Sequence, residues 1–142
     1  MSPPNNILAV DVGSTRVGIA LARAGISIPV ALKTLLRADA DFWQQLLNLI
    51  QEHDVGQLVI GLPRGLDGQE TAQTGLVRAF GQELATHTTL PIAWQDEALT
   101  SVKAEATLKR SAKPYAKTDI DALAACYILE DYLNSRPVGV QK

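Results

Sequence analysis

The chain has 142 residues, of which 46% are hydrophobic and 20% charged, with a formal charge of −2. At roughly 150 residues per domain, this is the make-up of one globular domain, 1–142, with loose tails expected at 1–5 and 137–142. A disordered tail protein, a collagen-like chain and a two-lobed enzyme are excluded, and the balance of charge argues against indiscriminate nucleic-acid binding.

The first third reads as strands. Residues 7–12 are an apolar run, interrupted by Asp11 and closed by Gly13-Ser14-Thr15. Residues 16–21 are rich in branched side chains, and 30–35 form a third run after a turn bracketed by Gly25 and Pro29. Three such runs with short turns predict an antiparallel meander. The period then changes. Phe42, Leu46, Leu49 and Ile50 make a helical stripe, with Asp39 or Asp41 available as its cap. Residues 58–60 read as a short buried strand stopped by Gly61 and Pro63, and 70–85 as a helix carrying Leu76, Phe80 and Leu84. A short strand at 91–94 and two helices at 99–109 and 118–133 complete the order β-β-β-α-β-α-β-α-α. Such an order predicts an α/β fold: a five-stranded mixed sheet, three antiparallel strands plus two parallel ones, flanked by helices.

Three acidic positions stand out. Asp11 lies inside an apolar strand, where a carboxylate is disfavoured unless something stabilises it. Asp96 and Glu97 follow the strand at 91–94, and neighbours in an extended segment point to opposite sides, so at most one of them faces a shared site. Asp121 shares a helix face with Ala125 and Ile128, and Thr118 to Asp121 has capping-box spacing. Each acid has a structural explanation as a turn or cap residue. Brought together, they would repel strongly and call for a divalent cation. Oxygen ligands select Mg²⁺ or Mn²⁺ over Zn²⁺, and two such ions can hold and hydrolyse a phosphodiester.

The basic residues are also unevenly spread. Lys103, Lys109, Arg110, Lys113 and Lys117 are opposed only by Glu105, so this segment carries +4 and the rest of the chain −6. Lys109, Arg110, Lys113 and Lys117 are candidate phosphate contacts, as are Arg16 and Arg64, which stand close in sequence to the proposed site elements. The plain alternative is a solvated charged face. His53 and His87 read as solvated or C-capping residues, Cys126 as core of the last helix, and Trp43 and Trp94 as packing residues. One cysteine, no secretory leader and no long apolar run suit a cytoplasmic protein without a membrane segment.

Ile7-Leu-Ala-Val-Asp-Val-Gly-Ser-Thr-Arg-Val-Gly-Ile-Ala20 resembles the opening hairpin of the YqgF (RuvX) family of ribonuclease-H-like proteins. Val59-Ile-Gly-Leu-Pro63 with Asp67-Gly68 and Arg78-Ala-Phe80 is similar to its second signature, and Asp96-Glu-Ala-Leu-Thr100 to its third. Asp121-Ala-Leu-Ala-Ala125 with Ile128-Leu129 and Tyr132-Leu133 is similar to its last helix. The resemblance runs from about residue 6 to 134 in family order. It implies a ribonuclease-H-like fold and a metal-dependent, phosphodiester-hydrolysing nuclease site made of Asp11, Glu97 and Asp121, with two Mg²⁺ or Mn²⁺ ions. It also implies 5′-end processing of pre-16S ribosomal RNA, with Holliday-junction resolution as the rival. Ala98 departs from the Arg that the family often carries after the Glu. Thr118 stands where RuvC-like enzymes tend to carry a fourth acid.

Two other readings compete. An actin-like ATPase also opens with Asp-x-Gly-x-Thr, but needs a second domain. A non-catalytic nucleic-acid-binding module on the same fold would have little use for three carboxylates that repel phosphate. Structured or precursor RNA is favoured over DNA junctions, and a monomer over a dimer, because no apolar helix face is left over for a two-fold interface.

Overall fold

The computed structural model describes residues 5–26, 28–64, 68–97 and 117–135, with side chains for all of these except 117–119 and 135. Strands β1 (Asn6–Val12), β2 (Arg16–Ala22) and β3 (Val30–Leu36) are followed by helix α1 (Phe42–Glu52) and strand β4 (Val55–Pro63). Helix α2 (Ala72–His87), strand β5 (Ile92–Glu97) and helix α3 (Lys117–Ser135) complete the described elements. The helix expected at 99–109 and the basic residues Lys103, Lys109, Arg110 and Lys113 lie outside the described residues.

The five strands form one sheet in the order β3-β2-β1-β4-β5. β1, β2 and β3 pair antiparallel, while β4 runs parallel to β1 and β5 parallel to β4. The expected mixed sheet is therefore present. Period-2 alternation sorts its side chains onto two faces. Leu8, Val10, Val12, Val17, Ile19, Leu58, Ile60 and Leu62 join one core with residues of α1 and α2. Ile7, Ala9, Ala20, Ala22 and Val59 join the other with α3, through Ala125, Ile128, Leu129 and Leu133. Small residues dominate the second sheet face, so α3 packs close to it.

Two elements extend beyond their sequence-based limits, and both matter for the site. β4 spans nine residues rather than three, because its parallel pairing with β5 continues from Leu58↔Ile92 to Pro63↔Glu97. The same pairing carries β5 through Asp96 and Glu97, so these acids lie in the strand instead of following it. α2 starts two residues later than expected, where Thr71 and Thr74 form a reciprocal cap. Buried Thr74 donates its hydroxyl to the carbonyl of Pro63 at 2.6 Å, and Gln73 donates to the carbonyl of Val12 at 3.2 Å. These bonds tie the first turn of α2 to the ends of β4 and β1.

Candidate active site

The carboxyl ends of β1, β4 and β5 lie together at one edge of the sheet, where parallel strands usually present their ligand crevice. Ala9 belongs to the core under α3, so Asp11, two residues on, points to the same side. Its cross-strand partner is Gly18 in β2. On its other flank the pairing of Val10 with Ile60 makes Gly61 the next residue in register.

These two glycines let the helix in. A Cβ on Gly18 would overlap the carbonyl oxygen of Asp121 and lie 2.9 Å from the backbone nitrogen of Ala122. A Cβ on Gly61 would overlap the side chain of Ile128, reaching its Cγ1 at 2.9 Å. α3 therefore rests directly on β2 and β4, and its first turns bring Asp121 to Asp11. An isolated glycine in a strand of branched residues signals close backbone approach, so Gly18 was findable in the sequence, although the partner was not.

The electrostatics follow from this placement. Burial, and then the negative charge of Asp121, push the Asp11 carboxyl from an ordinary 3.8 up to about 7. Arg16, at the start of β2, donates from Nε to Oδ2 of Asp121 at 2.5 Å. Asp11, Asp121 and Arg16 thus form a compact group at the β1 end.

Glu97 is placed by alternation. Ile92 packs toward the α1/α2 core and Ala93 toward the α3 core, so Gln95 and Glu97 share the α3 side with Asp11. Glu97 stands two strands from β1, roughly 10 Å away at about 4.8 Å per strand, and its Oε1 is shielded from solvent. Among the described residues, no three of His, Cys, Asp and Glu stand close enough to share one ion. The close pair is Asp11 with Asp121, and Glu97 is a third carboxylate beyond it on the same face.

The donor set fits a hard divalent cation. The charge of Asp121 opposes ionisation of Asp11, a further carboxylate shares their face, and all the donors are oxygens. Asp11 and Asp121 could hold one such ion, and Glu97 could contribute to a second.

Asp96 turns the other way. Arg64 Nε lies 3.3 Å from its Oδ1, while Arg64 Nη1 lies 3.5 Å from Glu70. Arg78 grips Glu70 with two bonds, at 3.0 and 2.6 Å, and holds the Glu70 carboxyl below the usual range. Arg64 therefore sits among acids on the α2 side, although its backbone N–H donates to the Glu97 carbonyl at 3.2 Å. Sequence reading did not foresee this ion-pair cluster. Lys117 begins α3, and its side chain lies outside the description, as do Lys109, Arg110 and Lys113.

The remaining singled-out residues pack. Trp43 stacks on Phe80 and on His87, the latter at 4.4 Å between ring centroids. Trp94 lies against Gly81, with the Arg78 guanidinium 5.8 Å from its ring. Cys126 is buried, and its thiol is pushed up to about 11. Among the described residues, no helix is long and apolar enough to cross a membrane.

Comparison with known proteins bears on the fold and the family. The family model for RuvX, described as Holliday junction resolvase, matches residues 5–135. A Chloroflexus aurantiacus protein named pre-16S rRNA nuclease is 39% identical over 137 residues, covering 92% of this chain and 87% of that protein. A Crocosphaera subtropica protein with the same name is 41% identical over 132 residues, covering 91% and 92%. Among solved structures, Thermus thermophilus RuvC in complex with Holliday junction substrate superposes with a TM-score of 0.55 at 15% identity, covering 92% of this chain and 94% of that one. The yeast mitochondrial Holliday junction resolvase gives 0.50 at 11% identity, covering 94% and 79%. The structural likeness identifies the fold as ribonuclease-H-like, and the match across nearly the whole length assigns the chain to the RuvX family.

Proposed function

We propose that this protein is a metal-dependent nuclease that hydrolyses phosphodiester bonds in precursor 16S ribosomal RNA, acting as a monomer in the cytoplasm. The observation that carries the reading is the pair Asp11 and Asp121, drawn together at the carboxyl edge of the sheet by the glycine contact at Gly18. Holding two half-buried carboxylates side by side is costly for a merely structural purpose. The choice of ribosomal RNA rests on the names of the relatives.

In this reading Asp11, Glu97 and Asp121 are the ligands of Mg²⁺ or Mn²⁺. Two ions suit the separation of Glu97 from the aspartate pair. Bound metal would supply Lewis acidity at the phosphoryl oxygen and a reactive hydroxide at neutral pH. Asp11 must give up its proton to serve as a ligand. Burial beneath α3 limits the water around the pair and so strengthens its hold on a cation. Arg16 and the basic residues Lys109, Arg110, Lys113 and Lys117 would grip flanking phosphates, while Arg64 would first have to leave Asp96 and Glu70.

The test is the purified protein with Mg²⁺ or Mn²⁺ against structured precursor RNA, single-stranded RNA and four-way DNA junctions. Cleavage of structured RNA, abolished by chelator, is the expected result. Paired symmetric cuts in the junction by a stable dimer would favour a resolvase. Tight RNA binding without cleavage of any substrate would favour a non-catalytic binding module.

A further inference from the structure

Arg16 and Asp121 are 105 residues apart in sequence, yet they form an ion pair that reaches into the carboxylate group. Both side chains are partly shielded, with 32% of Arg16 and 17% of Asp121 exposed. The pair lies on the α3 side of the sheet, next to Asp11. Its bond occupies Oδ2 of Asp121, one of the two oxygens that this carboxylate offers a cation. The bond is made by Nε, so it does not consume the fork of two Nη groups with which arginine grips phosphate.

We propose that Arg16 is an internal counter-ion for Asp121, which a divalent cation must displace, and that its displaced guanidinium then holds a nucleic-acid phosphate. The idea rests on the metal-dependent reading of this site and adds a linkage to it. Arg16 and the cation compete for one carboxylate. The cation releases the guanidinium from that carboxylate, and a phosphate gives it a new partner. Metal and nucleic acid therefore bind with positive, reciprocal coupling. Without either, Arg16 offsets the charge of Asp121 and keeps the pair of aspartates tolerable within the fold. Arg16 thus acts on the metal through Asp121 and on the nucleic acid directly.

The experiment is calorimetric titration of Mn²⁺ into the wild-type protein, Arg16→Gln, Arg16→Met and Asp121→Asn, without nucleic acid. Thermal melts of the same proteins are run in chelator. Removing the competitor should tighten Mn²⁺ binding about tenfold in both Arg16 variants, and both should melt earlier in chelator. A purely structural role for Arg16 would lower the affinity or leave it alone. A second readout is fluorescence anisotropy of a labelled RNA carrying non-hydrolysable linkages. Mn²⁺ should strengthen its binding to the wild-type protein and do so much less in Arg16→Gln. Unchanged or weaker Mn²⁺ binding in the folded Arg16 variants, with wild type binding and Asp121→Asn not, would overturn the counter-ion role alone. No Mn²⁺ binding by wild type would overturn the metal-dependent reading and this inference with it.

Discussion

Gly18 stands directly opposite Asp11 across the β1–β2 ladder, and it is also where the backbone of α3 touches the sheet. One missing side chain thus sets the separation of the two aspartates, since any Cβ at Gly18 would strike the carbonyl of Asp121.

Gly18→Ala should therefore cost about 3 kcal/mol, the upper end for overpacking, because the obstacle is backbone rather than a side chain that can swing aside. The lifted helix should also separate Asp121 from Asp11 and remove cleavage. Gly75→Ala is the matched control. It lies inside α2 with nothing within 4 Å of the new methyl, and should stabilise the protein by about 0.5–1 kcal/mol. Urea denaturation of both variants checks the contrast, and equal effects would contradict the close-approach account.

The carboxyl of Asp11 gives the metal-free protein a distinctive pH dependence. Its folded-state value, about 7, lies above the ordinary 3.8, so between those pH values the native state holds more protons than the unfolded state. Stability in chelator should fall as pH rises through this window and level off above it. The displacement corresponds to about 4 kcal/mol at full ionisation. Asp11→Asn removes the effect. It should match wild type near pH 4, be more stable at pH 8, and lack cleavage activity. Melting curves of both proteins across pH 4–8 test this, and a wild-type stability that rises over the window would reverse the assignment.

The two acids of β5 should separate cleanly. Asp96 meets Arg64 at the exposed α2 side, so Asp96→Asn should change stability by no more than about 1 kcal/mol and keep cleavage. Glu97→Gln, on the side of Asp11, should lose metal-dependent cleavage while folding normally. The opposite pattern of activities would make Asp96 the ligand.

Replacing Lys109, Arg110 and Lys113 together with alanine should weaken RNA binding and flatten its salt dependence. The slope of log affinity against log salt should fall by up to about 2–3, close to one per lost phosphate contact. Mn²⁺ affinity should not change. An unaltered salt slope would show that these cations do not touch the backbone of the RNA.

Much of this protein was legible along its chain. Alternation placed Asp11 on one face of β1 and separated Asp96 from Glu97, because a strand turns each successive side chain to the opposite side. Helical stripes identified α1 and α2 and set Asp121 on the core-facing side of the last helix, and the β-α order led to the mixed sheet. These are local properties, carried by residues a few positions apart. The tertiary structure decided the rest. The extension of β5 through Glu97 depends on pairing with β4, and the meeting of Asp121 with Asp11 depends on how closely α3 settles over Gly18 and Gly61. The partners of the arginines are equally non-local: Arg16 reaches Asp121 from the far side of the sequence, while Arg64 is held by Asp96 and Glu70 on the other face. Such contacts arise where elements distant in the chain are packed together, and no local periodicity specifies which side chains then meet.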